Sequence, residues 1–233
     1  MRRLTTALYL LFISLIVQKT FAQHDTAYLK TLYDRVLDFN SAKADSVLYY
    51  ANYIESEAQK LEFDKGAVLS LRLKGIYQEF REEYDSAIGF YYQALEQARG
   101  LKTNEYEASA LSDLAMAYSN VNQPQKSRDF FKEALRVSIE RKEILSIFTN
   151  GSNLGAVYNR IGQPDSALYF LQQAEQVAQI NNLHSDLHSV YNNIGNAWFH
   201  KKQWDKALRF FMLNYDSNSA KNDQEMLWYD CLN

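Results

Sequence analysis

The sequence predicts an all-α protein, a solenoid of about five helix–turn–helix units. Three observations carry that expectation. A register of 40 residues runs along the chain: Asp45-Ser46-Val47, Asp85-Ser86-Ala87, Gln125-Lys126-Ser127, Asp165-Ser166-Ala167 and Asp205-Lys206-Ala207 stand at equal intervals, with no insertion. Inside each interval, apolar residues recur at steps of three and four, which lines one face of a helix. The 233 residues hold only 2 Pro and 8 Gly, too few helix breakers for a loop-rich all-β chain.

The elements follow in chain order. Residues 1–22 read as a secretory signal peptide. Arg2 and Arg3 form a positive start, Ala7 to Val17 an apolar run, and Thr20-Phe21-Ala22 a cleavage site with small residues at −3 and −1. The run is shorter than the roughly 20 residues a membrane span needs. Cleavage after Ala22 removes three basic residues and leaves 22 Lys and Arg against 28 Asp and Glu. The mature chain is then expected outside the cytoplasm, periplasmic or secreted, and not in a membrane. The alternative is an uncleaved membrane anchor. An acidic chain without a basic stripe argues against a nucleic-acid partner.

Residues 23–233 then divide into units at about 26–63, 64–103, 104–143, 144–183 and 184–222. Small residues recur as Gly75, Ala115, Gly155 and Gly195, and bulky ones as Tyr91, Phe131, Leu171 and Phe211. Small facing large lets two helices approach to about 8–10 Å. Pro124 and Pro164 share one repeat position, where a second helix is expected to begin, since Pro is tolerated in a helix's first turn. Asp45, Asp85, Asp165 and Asp205 then meet the positive end of that helix. The first unit matches only in its second helix. Residues 223–233, with Met226, Leu227, Trp228 and Leu232, read either as the start of a sixth unit or as a short cap.

Leu154-Gly155-Ala156-Val157-Tyr158, followed by Gly162, Ala167 and Ala174, resembles the tetratricopeptide repeat. Ile194-Gly195 with Trp198 follows the same pattern. The resemblance covers about residues 28–220 and departs from the family in its longer period. It implies a right-handed superhelix whose first helices line a concave groove for a peptide or protein partner. It also implies the exported sensory region of a bacterial two-component or transcriptional regulator. A stand-alone scaffold for envelope assembly is the alternative, as is a sensor kinase or DNA-binding regulator whose output domain lies beyond these residues.

Motifs for bond chemistry are missing: there is no phosphate-cradling glycine loop and no nucleophile elbow. His184 and His188 stand four apart, but a zinc protease would need Glu at Ser185, and no third ligand accompanies them. The lone Cys231 has no internal disulfide partner. No enzyme activity, metal or cofactor is expected. By the resemblance, the candidate groove residues are Asn120, Asn153, Arg160, Asn193, Asn196 and His200. An Asn side chain offers two donors and an acceptor to an extended peptide backbone. Of the neighbouring groove positions Arg72, Ser112, Ser152 and Asn192, only Arg72 is cationic, so a clamp for two carboxylates is not expected. Tyr91, Tyr118 and Tyr158 fall on packing columns and are expected in the core. The oligomeric state is not legible.

Overall fold

A computed structural model describes residues 25–103, 105–183 and 187–219. The expected signal peptide, His184, residues 223–233 and Cys231 lie outside the described residues. Those described form ten α-helices, one short 3-10 turn at Ser41–Lys43 and no strand. The helices are α1 (25–37), α2 (Ala44–Lys60), α3 (Lys65–Phe80), α4 (Tyr84–Gly100), α5 (Glu107–Asn120), α6 (Pro124–Arg141), α7 (Ile144–Ile161), α8 (Pro164–Ile180), α9 (Leu187–His200) and α10 (Trp204–Ser219). Packing divides the chain into two compact units, Met1–Tyr106 and Glu107–Asn233.

The helix boundaries follow from the sequence. Pro124 and Pro164 open α6 and α8, where a missing N–H costs nothing. Asp45, Asp85, Asp165 and Asp205 stand in the first turns of α2, α4, α8 and α10. The turns themselves repeat every 20 residues. Glu62, Glu82, Asn122, Lys142, Gly162, Asn182 and Lys202 all take positive φ, between 52° and 78°. One residue further on, an N–H reaches back five positions: Glu83 to Gln78, Gln123 to Tyr118, Gln163 to Tyr158 and Gln203 to Trp198, each 2.9–3.0 Å from the carbonyl. This is the Schellman closure, which satisfies carbonyls left over at a helix end. Two helices of 14–18 residues with their turns make the 40-residue period; α4 is an exception to this closure, because Leu101 after it is extended, with φ −73° and ψ 138°.

In the first unit, Leu29, Leu32, Tyr33 and Val36 of α1 pack with Val47, Ala51, Ile54 and Ala58 of α2 and with Leu69 and Leu73 of α3. The sequence shows no repeat signature in α1, yet these four residues keep the i, i+3, i+4, i+7 spacing of a buried face. What α1 lacks is the small residue of the repeat, because Arg35 stands 40 residues before Gly75. In the same unit a Cβ added at Gly75 would collide with the Tyr91 ring.

The connection after α4 folds back on this unit. Glu105 accepts from Lys30 at 3.2 Å and from Lys65, and the Tyr106 ring meets Tyr33 edge-on at 6.5 Å. Burial, with added repulsion from Tyr33 and Asp34, pushes the Tyr106 phenol up to about 12, although Arg72 pulls it down. The folded-state value lies above the ordinary 10.0. The linked stability is therefore complete below about pH 10 and is lost as pH rises towards 12. Phenolate absorbance should lose a late-ionising component in Tyr106→Phe, and the variant should lose stability less steeply in that pH window. A titration unchanged by the substitution would contradict this packing.

In the second unit, α5 packs on α6, α6 on α7, α7 on α8, α8 on α9 and α9 on α10. A Cβ at Gly155 would strike Leu171, and one at Gly195 would strike Phe211. The expected small-to-large contacts are therefore made between the two helices of each pair. Tyr118 stacks on Phe130 at 5.5 Å and Tyr158 on Phe170 at 5.4 Å. Both tyrosines are buried, as is Tyr91. Among the described residues, no helix is long and apolar enough to cross a membrane.

Candidate functional site

The first helices of the second unit are α5, α7 and α9, and α7 packs on both of the others. Their small column fixes how each faces its own second helix, because Ala115, Gly155 and Gly195 are all buried. Residues one and five places further on therefore turn away from that contact. A cleft of about 190 Å³ opens where α5 meets α7, lined by Met116, Ser119, Asn153, Ala156, Val157 and Arg160, with Phe131 of α6 behind them. Two of the expected groove residues, Asn153 and Arg160, meet in this cleft.

Arg160 is positioned by the end of α5. Its Nη1 donates to the Ser119 carbonyl at 2.9 Å and to Ser119 Oγ at 2.7 Å. That carbonyl belongs to the last turn of α5, where intrahelical partners run out and a cation complements the helix dipole. A guanidinium carries five N–H donors. The Nη2 and Nε donors stay available on an exposed side chain. Met116, 44% exposed, supplies an adaptable apolar surface beside the polar group.

The amides on α9 are arranged differently. Asn193 and Asn196 are half-buried, and the Asn193 main-chain carbonyl accepts from Asn159 Nδ2 at 2.8 Å. Asn159 is a positioning residue that the sequence did not single out. It ties α7 to α9 and holds their faces in register. Asn120 ends α5 and is exposed. His200 ends α9, exposed, with its ring edge-on to Phe199 at 6.4 Å. The structure thus gathers Asn153 and Arg160 into one cleft, places Asn193 and Asn196 on the next first helix, and leaves Asn120 and His200 at helix ends.

In the first unit, Arg72 is buried and donates through Nη1 to the Tyr33 hydroxyl, with its guanidinium 5.6 Å from the ring centre. The one cation among the neighbouring groove positions is thus occupied inside the unit. Among the described residues, no group of three or more His, Cys, Asp and Glu side chains is placed to hold a metal ion. His188 lies on α9.

Residues 66–140 match the family model of the tetratricopeptide repeat. Several solved structures share the architecture. BtubC (BKLC) from P. vanneervenii matches with a TM-score of 0.66 and 19% identity, over 76% of this chain and 74% of that one. The nearly identical TPR-like repeats of a putative kinesin light chain from Podosopora anserina give 0.63 and 14%, over 84% and 97%. The Rap conjugation gene regulator of plasmid pLS20, solved in complex with the Phr* peptide, gives 0.57 and 20%, over 74% of this chain and 50% of that one. At these identities the likeness is one of fold. No curated protein matches the chain in sequence.

Proposed function

Because this chain is a tetratricopeptide-repeat protein, we propose that it works by binding an extended peptide segment of a protein partner along the first-helix face of its second unit. The carrying observation is the cleft in which Met116, Asn153, Ala156 and Arg160, from two successive first helices, come together. Arg160 offers a preorganised cation for a backbone carbonyl or a carboxylate. Asn153 offers a donor and an acceptor beside it, and Asn196 extends the amides to the next repeat. Such a surface stabilises a bound strand through main-chain hydrogen bonds, while Met116 and Ala156 select an apolar side chain. The peptide held by the similarly folded Rap regulator supports this mode. No bond is made or broken: the reading is of a binding module.

The charged start, apolar run and small residues of the first 22 positions support export. We place the module in the cell envelope, as the sensory part of a longer signalling protein. The test is a pull-down from envelope extract with the wild-type chain, the Asn153→Ala/Arg160→Ala variant and the Asn193→Ala/Asn196→Ala variant. Both variants should melt like the wild type. A specifically captured partner should be lost from the first variant and reduced with the second. Equal recovery by all three proteins would remove the cleft from the reading.

A further inference from the structure

The second helices of the second unit carry a different surface. α6 and α8 both pack on α7, and a cavity of about 330 Å³ opens between them over Leu154. That volume lies in the range of about 300–1,000 Å³ seen for ligand sites. Its walls are Leu135 and Ile139 from α6 and Phe170 from α8, and Lys132 and Arg136 stand along the α6 rim. Ile139 is 55% exposed, large for an apolar side chain beside an apolar hollow. Helix geometry alone does not require this composition. Forty residues on, at the same repeat positions, Lys132, Leu135, Arg136 and Ile139 are replaced by Gln172, Glu175, Gln176 and Gln179.

The rim charges indicate what fits. The chain is acidic overall, with a net charge of −3, yet this rim sets two cations, Lys132 and Arg136, against one carboxylate, Glu140. Lys132 is exposed and makes no ion pair among the described residues. Arg136 pairs with Glu140 at 2.6 Å, but both side chains are more than half exposed, and such a surface pair gives way readily to another carboxylate. Lys132 and Arg136 are one helical turn apart, so they face carboxylates spaced by one turn on a helix lying alongside.

We propose that the groove between α6 and α8 docks an acidic amphipathic helix of a protein partner, which seats bulky apolar side chains on Leu135, Ile139 and Phe170 and sets carboxylates against Lys132 and Arg136. This site is separate from the α5–α7 cleft, so one chain holds a peptide on one side and a helix on the other.

Fluorescence anisotropy on the full chain tests it. The probes are three labelled helical peptides of about five turns, amphipathic with Leu and Glu, Leu and Lys, or Ser and Glu. The Leu/Glu peptide should bind and the other two should bind at least about tenfold more weakly. Ile139→Glu and the Lys132→Glu/Arg136→Glu pair should each weaken it by about tenfold or more, and the charge-reversed pair should gain affinity for the Leu/Lys peptide. Ile139→Gln, milder and at an exposed position, should weaken it less. Thermal melts establish that each variant folds, and Arg160→Ala should leave the affinity unchanged. Three outcomes overturn the proposal. The Leu/Glu peptide fails to bind the wild type, or binds regardless of Ile139 and Lys132. Its binding is lost with Arg160→Ala instead, which puts it in the cleft. Or the wild type self-associates in sedimentation and Ile139→Glu abolishes this, which makes a second copy the occupant.

Discussion

Phe131→Ala is expected to cost the second unit about 3–5 kcal/mol, the usual penalty for emptying a fully buried aromatic site. Phe131 is 1% exposed and lies in one cluster with Ala115, Leu154, Val157 and Leu171. The helices on either side are fixed by their own small-to-large contacts, so the hole has little means to close. Phe131→Leu keeps most of the volume and should cost less than about 1.5 kcal/mol. Urea unfolding of the two variants measures both values. A Phe131→Ala protein less than about 1 kcal/mol below the wild type would mean that this position is not core.

Gly155→Leu should cost about 1–3 kcal/mol or more, by overpacking. The collision is specific: any Cβ at this position runs into the Leu171 side chain, between the two helices of one pair. Specificity makes the prediction reversible. Leu171→Ala alone should also destabilise, by about 2–5 kcal/mol. Combining the two should recover part of the loss, because the added leucine fills the space vacated, and contacting residues do not behave additively. Strict additivity in thermal or urea unfolding would mean that the two positions do not touch. Gly151 carries no such expectation, since a Cβ there meets only Ala174 Cβ at 3.7 Å and the Phe170 carbonyl at 3.9 Å.

Much of the fold could be read from sequence because the repeat is written in size as well as hydropathy. Gly75 against Tyr91, Gly155 against Leu171 and Gly195 against Phe211 are each legible as a small column followed by a bulky one. Pro124 and Pro164 mark helix starts because φ near −65° and a missing N–H fit only there. α1 was hidden because Leu29, Leu32, Tyr33 and Val36 give it a buried face without the small residue that signals the family. The turns were hidden because Glu62, Glu82 and Lys142 take a left-handed conformation usually assigned to Gly or Asn. Gly162, Asn122 and Asn182 announce it.

The candidate site was legible only in part. Counting from the small column names Asn153 and Arg160, but not that Ser119 holds the guanidinium, because that bond joins residues 41 apart. Asn159 carries no sequence signal for the same reason: its partner is a main-chain carbonyl on another helix, and a carbonyl has no signature in sequence. That Arg72 is buried and bonded to the Tyr33 hydroxyl is likewise a contact between residues 39 apart. The hollow between α6 and α8 depends on the spacing of two helices that meet through a third.

Photocrosslinking is the most direct test of the first-helix face as the binding surface. A benzophenone amino acid placed at Met116, on the rim of the α5–α7 cleft, should capture the partner recovered from envelope extract. The same probe at Gln125, exposed in the first turn of α6, should not. Adding Arg160→Ala should abolish the Met116 crosslink while the melting temperature stays the same. Capture from Gln125 and not from Met116, or a Met116 crosslink indifferent to Arg160, would contradict it.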